Sequence, residues 1–371
     1  MINLDVNPSL RQPRGAVLVN GTRIKGWIDF EVENNVFYEA DTFHVKFSLS
    51  ALPSDFNEAW WSSQVEIFIE LFAGFPADVN NYSQFDLMSL VYGRVDDIEY
   101  NPVERCLTVS GRDLTAAMID AKTTEKFQNL KASDIAIKIA NRHNLIPIVT
   151  PTKVAVGKFY QLDKNRMNDS KSEWDLITSL AQDEQFVVYV KGKTLHFEPQ
   201  PIVSADPYII RWKLPSSNNG AYSLNAITMD FKRAITLSRG IVVTVQTINH
   251  KTGKTIKASY PANKSPTIKP GASAPVAQNY FRRIPQGDYQ KALQVAQQMH
   301  KDLTQHEMKL SVSLPADNIL SVANILKVTG TGTAFDQLYY PESITRTLSN
   351  SEGYRMQISA KNKSPQNQVT L

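Results

Sequence analysis

The sequence predicts an α+β protein, mainly β, in which one β domain occurs twice with an α/β segment between the copies. Three observations predict it. Strand-like alternation dominates both ends of the 371 residues. Helical periodicity is concentrated in the middle. Residues 95–113, "VDDIEYNPVERCLTVSGRD", align without a gap with residues 344–362, "ITRTLSNSEGYRMQISAKN".

The elements follow in chain order. "TFHVKFSL" alternates Phe43, Val45, Phe47 and Leu49 with polar residues, the period of a half-buried strand. "SQVEIFIELFAG" places Val65, Ile67, Ile69 and Leu71 on one face and stops at Gly74. "VYGRVDDIEY" and "RCLTVSG" make a hairpin around "NPVE", where Pro102 suits a turn. Asp113 then caps a short helix with Leu114, Ala117 and Met118 inward. Ser133 is expected to cap a second, with Ile135 and Ile139 one turn apart. Ser172 and Asp175 form a capping box for a third, whose inner face is Trp174, Ile177, Leu180 and Ala181. A hairpin turning at Gly192 follows.

β structure returns in "LNAITMDF" and "GIVVTVQT". Next is a Lys-, Pro- and Ser-rich excursion with little apolar periodicity, expected to be exposed and dispensable for folding over 249–278. A helix capped by Asp288 then shows Tyr289, Ala292, Leu293, Ala296, Met299 and Leu303 on one face, expected to pack outside the second β domain. "MKLSVSLP", "NILKVTGTG", "LYYPESITRTL" and "YRMQISA" complete the strands. The predicted division is 1–113, 114–205 and 206–371, with an insertion at about 249–307.

In the repeat, Val95 meets Ile344, Leu107 meets Met356, Val109 meets Ile358 and Ser110 meets Ser359. Upstream, "SQVEIFIELF" corresponds to "ANILKVTGTG". The pair Asp29-Phe30 leading to "FHVKFSL" is matched with Asp230-Phe231 leading to "IVVTVQT". A duplicated β domain accounts for all of these.

Composition excludes several functions. The single cysteine, Cys106, rules out an internal disulfide and any multi-cysteine metal site, and suits a reducing compartment. No run of about 18 apolar residues is present to insert in a membrane, and the first residues lack a signal-peptide core. Net charge is +4 but uneven: residues 231–287 hold ten Lys and Arg and no Asp or Glu.

Catalytic signatures are missing, so no catalytic, cofactor-binding or metal residue is assigned. "HKTGKT" ends like a phosphate loop, but Ile248 stands where its first glycine belongs. His300 and His306 are six apart and would face different sides of a helix. His44, His143, His196 and His250 are scattered. Asp97 and Glu99, beside Asp96, are read as an exposed strand face rather than a glycosidase pair. Trp60 and Trp61 are read as packing rather than a carbohydrate platform. Tyr260, Tyr280 and Phe281 in the basic window could stack on bases.

The chain resembles the baseplate-hub proteins of contractile phage tails: Mu-like tail proteins, late-control proteins and the N-terminal part of type VI secretion spikes. "VYGRVDDIEYN…RCLTVSGRDL", "SEWDLITSLAQDEQFVVYVKGKTLHFEP" and the order of strands over the last hundred residues carry the resemblance. It implies two tube-type antiparallel β-barrels per chain. It also implies a homotrimer presenting six barrels, which matches a three-fold spike to a six-fold tail tube and lets DNA pass. The implied partners are the tail tube protein, the central spike protein and the tape-measure protein, with non-specific contact to DNA in the lumen. The implied location is the virion baseplate, after synthesis in the bacterial host cytoplasm. The basic, Pro-rich excursion departs from the family pattern. Two rival readings stay open: a cell-wall-degrading tail enzyme, and a nucleic-acid-binding module using 231–287.

Overall fold

The computed structural model describes residues 12–123, 125, 127, 130–153, 171–199, 206–213, 223–234, 241–248, 253–261, 278–284, 289–304 and 308–362. Its first unit contains β1 (Arg14–Val19), β2 (Thr22–Ile24), β3 (Trp27–Asn35), β4 (Thr42–Ser48), the short helix α1 (Glu58–Ser63), β5 (Phe68–Gly74), β6 (Met88–Asn101) and β7 (Cys106–Asp113). Alternation sets the faces: Phe43, Val45 and Phe47 are buried, while Thr42 and His44 are exposed. The strands pair antiparallel in the order β3-β4-β7-β6-β5-β1-β2. Asn57 caps α1, accepting the Trp60 N–H at 2.9 Å, and α1 seats Trp61 against Phe47. Val65 precedes β5 and is exposed instead of sharing its inner face.

The middle unit holds α2 (Thr115–Asp120), β8 (Lys122–Thr123), α3 (Ala132–Arg142), β9 (Ile146–Val149), β10 (Lys171–Ser172), α4 (Glu173–Glu184), β11 (Phe186–Lys191) and β12 (Thr194–Pro199). Ile135, Ile139, Ile177 and Leu180 bury against Val188, Leu195 and Phe197 of a sheet ordered β11-β12-β9. Ser172 caps α4 as expected, its Oγ accepting the Asp175 N–H at 3.0 Å. Ser133 does not cap α3. It is buried inside the first turn, and Asp134 reaches back to the Lys131 N–H instead.

The last unit comprises β13 (Tyr208–Lys213), β14 (Ser223–Leu224), β15 (Thr228–Arg233), β16 (Ile241–Ile248), β17 (Thr255–Tyr260), β18 (Gln278–Arg283), α5 (Tyr289–Thr304), β19 (Met308–Pro315), β20 (Leu326–Thr329), β21 (Leu338–Ser349) and β22 (Gly353–Lys361). Five strands repeat the first unit in order and direction: β15-β19-β22-β21-β20 follows β3-β4-β7-β6-β5, antiparallel throughout. The sixth position differs, because β13 runs parallel to β20 whereas β1 runs antiparallel to β5.

Four sequence expectations are corrected by this pairing and packing. The counterpart of "FHVKFSL" is "MKLSVSLP", since β4 and β19 each lie between the equivalents β3/β15 and β7/β22. "IVVTVQT" instead forms β16, the centre of a separate sheet, β17-β16-β18. The inserted structure therefore begins before residue 249. The excursion is not structureless either: its 255–260 segment is β17, and Ala258 is buried beside Val243 and Val245. Finally, α5 packs through Ala292 and Ala296 on this inserted sheet, not on the outside of the second barrel sheet. Asp288 and His306 lie outside the described residues.

The repeat also needs a gap. Leu107, Val109, Gly111 and Asp113 do correspond to Met356, Ile358, Ala360 and Asn362. On the preceding strand, however, Ile98 faces Val109 as Ile344 faces Ile358. Ile98, not Val95, is therefore the equivalent of Ile344. Three residues of turn and strand separate the hairpins, an offset an ungapped match cannot carry.

Candidate assembly interface

The two barrel sheets are one 14-stranded sheet, joined where β3 pairs antiparallel with β21. Seven residue pairs make the seam, from Asn35 opposite Ser343 to Asp29 opposite Ser349, and the Val36 N–H extends it to the Glu342 carbonyl at 3.0 Å. Arg346 lies within it at 3% exposure. Its guanidinium donates to the Asp317 carbonyl (3.1 Å), the Leu320 carbonyl (2.5 Å) and Asn34 Oδ1 (3.1 Å). A buried guanidinium persists only when its N–H groups are satisfied in this way. Leu348, from across the seam, and Phe30, from its near side, close over Gly15. A Cβ on Gly15 would stand 2.5 Å from Leu348 Cδ2. The apolar residues of both sheets form one continuous core.

The seam uses β3 of the first copy and β21 of the second. Their equivalents are β15 of the second copy and β6 of the first, and each has a backbone edge left open within the chain. Among the described residues β15 pairs only with β19. Beyond Val95, β6 pairs among the described residues only with β7. Ile98 and Tyr100 are accordingly 36% and 51% exposed, while their counterparts Ile344 and Arg346 are at 0% and 3%.

The loop between β3 and β4 grips the middle unit. The Tyr38 hydroxyl donates to the Phe186 carbonyl (2.6 Å), its N–H to the Val188 carbonyl (3.1 Å), and Trp174 Nε1 donates to the Tyr38 carbonyl (2.9 Å). The equivalent position of the second copy, between β15 and β19, carries the inserted sheet and α5.

Other residues singled out from the sequence fall apart spatially. Asp96 pairs with Arg112 at 2.6 Å and, with Asp97, lines an open depression shared with Glu31, Glu33 and His44, while Glu99 lies outside it on the exposed strand end. Trp60 meets Phe56 and Trp61 edge-on, Trp61 lies tilted against Phe47, and both are packing residues. His143 meets the buried Glu173, which also holds Arg142; His196 stacks on Tyr189. His300 packs edge-on against Tyr260, and burial lowers its pKa. Tyr260 and Tyr280 pack against the inserted core, which leaves Phe281 exposed with Arg283 beside it. Lys257 and Arg283 both flank Gln246 on that sheet.

No protein-family model and no curated protein sequence matches the chain. Solved structures do. A tail protein from Neisseria meningitidis MC58 superposes with a TM-score of 0.66 at 15% identity, over 95% of this chain and 97% of that one. The 43 kDa tail protein of prophage MuSo2 from Shewanella oneidensis gives 0.64 at 13%, over 95% and 98%. The fold is that of phage tail proteins. A type VI secretion component from Escherichia coli shares it at 0.53 and 10% identity, over 96% of this chain and 79% of that one.

This tail-protein fold also contains a pair of carboxyls that the sequence reading missed. Asp41 and Asp113 meet where β4 and β7 end, the Asp113 N–H donating to the Asp41 carbonyl at 2.9 Å. Burial pushes Asp113 up to about 8, helped by the charge of Asp41, and pushes Asp41 up to about 6. In the second copy the same backbone bond joins Asn362 to Met308 at 3.0 Å, so a neutral amide replaces Asp113. The only sequence signal was the alignment of Asp113 with Asn362.

Proposed function

We propose that the chain is a structural, non-enzymatic baseplate hub of a contractile phage tail. Three copies form a ring of six barrels that matches a three-fold spike to a six-fold tube and lets DNA pass. The observation that carries the reading is the β3–β21 seam, which sets two copies of one five-stranded sheet edge to edge within a single chain. A three-fold ring can meet a six-fold surface only if each chain offers two similar faces. On this reading residues 1–113 and 206–371 are the two barrel domains, and 114–205 holds other baseplate parts. The partners are the tube, spike and tape-measure proteins, and the location is the virion baseplate, after synthesis in the host cytoplasm. The likeness to tail proteins along nearly the whole chain supports it. Light scattering after size exclusion tests it. A mass about three times the 41.6 kDa of one chain is expected, and a stable monomer at micromolar concentration overturns it.

A second reading, nucleic-acid contact, is favoured by Phe281, Arg283 and Lys257 on the inserted sheet. It predicts DNA binding whose affinity falls steeply with salt. Binding that is absent at low salt would remove it.

A further inference from the structure

The seam inside the chain is a template for the join between chains. We infer that β15 of one copy pairs antiparallel with the distal half of β6 of the next copy, with Lys232 opposite Glu99. The inference rests on the ring reading above and adds the surface and register that close the ring.

The register follows from residue equivalence. Met229 and Phe231 face Val312 and Leu310 as Phe30 and Val32 face Val45 and Phe43, so Phe231 stands where Val32 does. Ile98 stands where Ile344 does, so Tyr100 stands where Arg346 does. In the internal seam Val32 lies opposite Arg346, Glu33 opposite Thr345 and Asn34 opposite Ile344. The transferred register therefore sets Phe231 against Tyr100, Lys232 against Glu99 and Arg233 against Ile98.

Two independent observations fit this one alignment. The first is charge. Lys232 and Arg233 open the acid-free window, whereas β6 carries Asp96, Asp97 and Glu99 at its distal end. Opposed side chains across an antiparallel pair have Cβ atoms about 4.5–5.5 Å apart, near enough for opposite charges to attract and like charges to repel. Sliding the register by one residue would also turn Phe231 away from the face of Tyr100. The second is exposure. Ile98 and Tyr100 are open to solvent where Ile344 and Arg346 are covered, and an edge strand bearing exposed apolar side chains invites another strand. Because the two edges are different strands, the contact is head-to-tail and propagates around a ring instead of ending at a dimer.

The test is a double-cysteine variant, Lys232→Cys with Glu99→Cys, oxidised and run without reductant. Native Cys106 is buried. Covalent dimers and trimers are expected, and neither single variant should give them. The second arm is charge reversal. Glu99→Lys should weaken assembly by roughly tenfold or more through like-charge opposition. Adding Lys232→Glu should restore it, the signature of a direct pair. A trimer by light scattering that neither cross-links nor shows rescue overturns this register while leaving the hub reading intact. A wild-type monomer overturns the hub reading and this inference with it.

Discussion

The guanidinium of Arg346 shows how a single side chain fixes the relation of the two barrel sheets, since it bonds Asn34 of one and the 317–320 turn of the other. Replacing it with alanine would leave Asn34 Oδ1 and two buried carbonyls without their donor. A loss of about 2–4 kcal/mol is expected, read as a lower denaturant midpoint. Asp113 has the opposite sign. Its carboxyl and that of Asp41 titrate higher in the fold than at their ordinary value near 4. The folded chain therefore holds more protons than the unfolded chain between about pH 4 and pH 8, and stability falls as pH rises through that window. Asp113→Asn, the residue type already present at position 362, should stabilise the protein by on the order of 2 kcal/mol at pH 8 and make no difference near pH 4. Melting temperature against pH checks this, and an unchanged slope would contradict it. Neither site was legible in advance. Alternation puts Arg346 on the face of Ile344 and Leu348, but nothing along the chain names the acceptors that satisfy it there, and Asp113 reads as a helix cap. Asp113 does take a cap-like bond, its Oδ1 accepting the Thr115 N–H at 3.0 Å, but its burial comes from β4 and cannot be seen along the chain.

At the scale of elements, alternation and caps were legible because they are local. The faces of β4, β7, β19 and β22, the Ser172 cap and the apolar face of α4 all follow from period and cap chemistry. Pairing across long separations was not. The sequence places "IVVTVQT" in the second barrel because its alternation resembles that of β4. Its actual partners, β17 and β18, lie in and just after the excursion with little apolar periodicity, so no local pattern marked them as its neighbours. The hairpin match failed at Val95 for a related reason: strand length and turn length can trade without changing the pattern of either arm. The inserted sheet leads to a prediction that reverses the sequence reading. Deleting residues 249–278 removes β17 and uncovers Val243 and Val245, so α5 should lose its seat. Loss of helical circular dichroism and faster proteolysis are expected; an unchanged spectrum would contradict it. Gly15 gives a second prediction. Alanine there would collide with Leu348, at a cost of about 1–3 kcal/mol, visible as a drop in melting temperature.

The whole molecule is organised by repetition. One five-stranded sheet occurs twice, and the connection between its first two strands is used twice for different ends. In the first copy it is the short loop with Tyr38 that holds the middle unit, and in the second it carries the inserted sheet. The duplication was legible in the sequence, but the direct strand-to-strand joining of the copies was not. That joining depends on backbone edges, which side-chain patterns do not encode. On the proposed function it is also the feature that lets three chains close as a ring of six. Electron microscopy of the purified protein tests this most directly. Class averages should show a closed ring with six similar lobes around a central pore, three of them bearing an added inserted unit. Single particles of one chain, or a ring with only three lobes, would contradict the account.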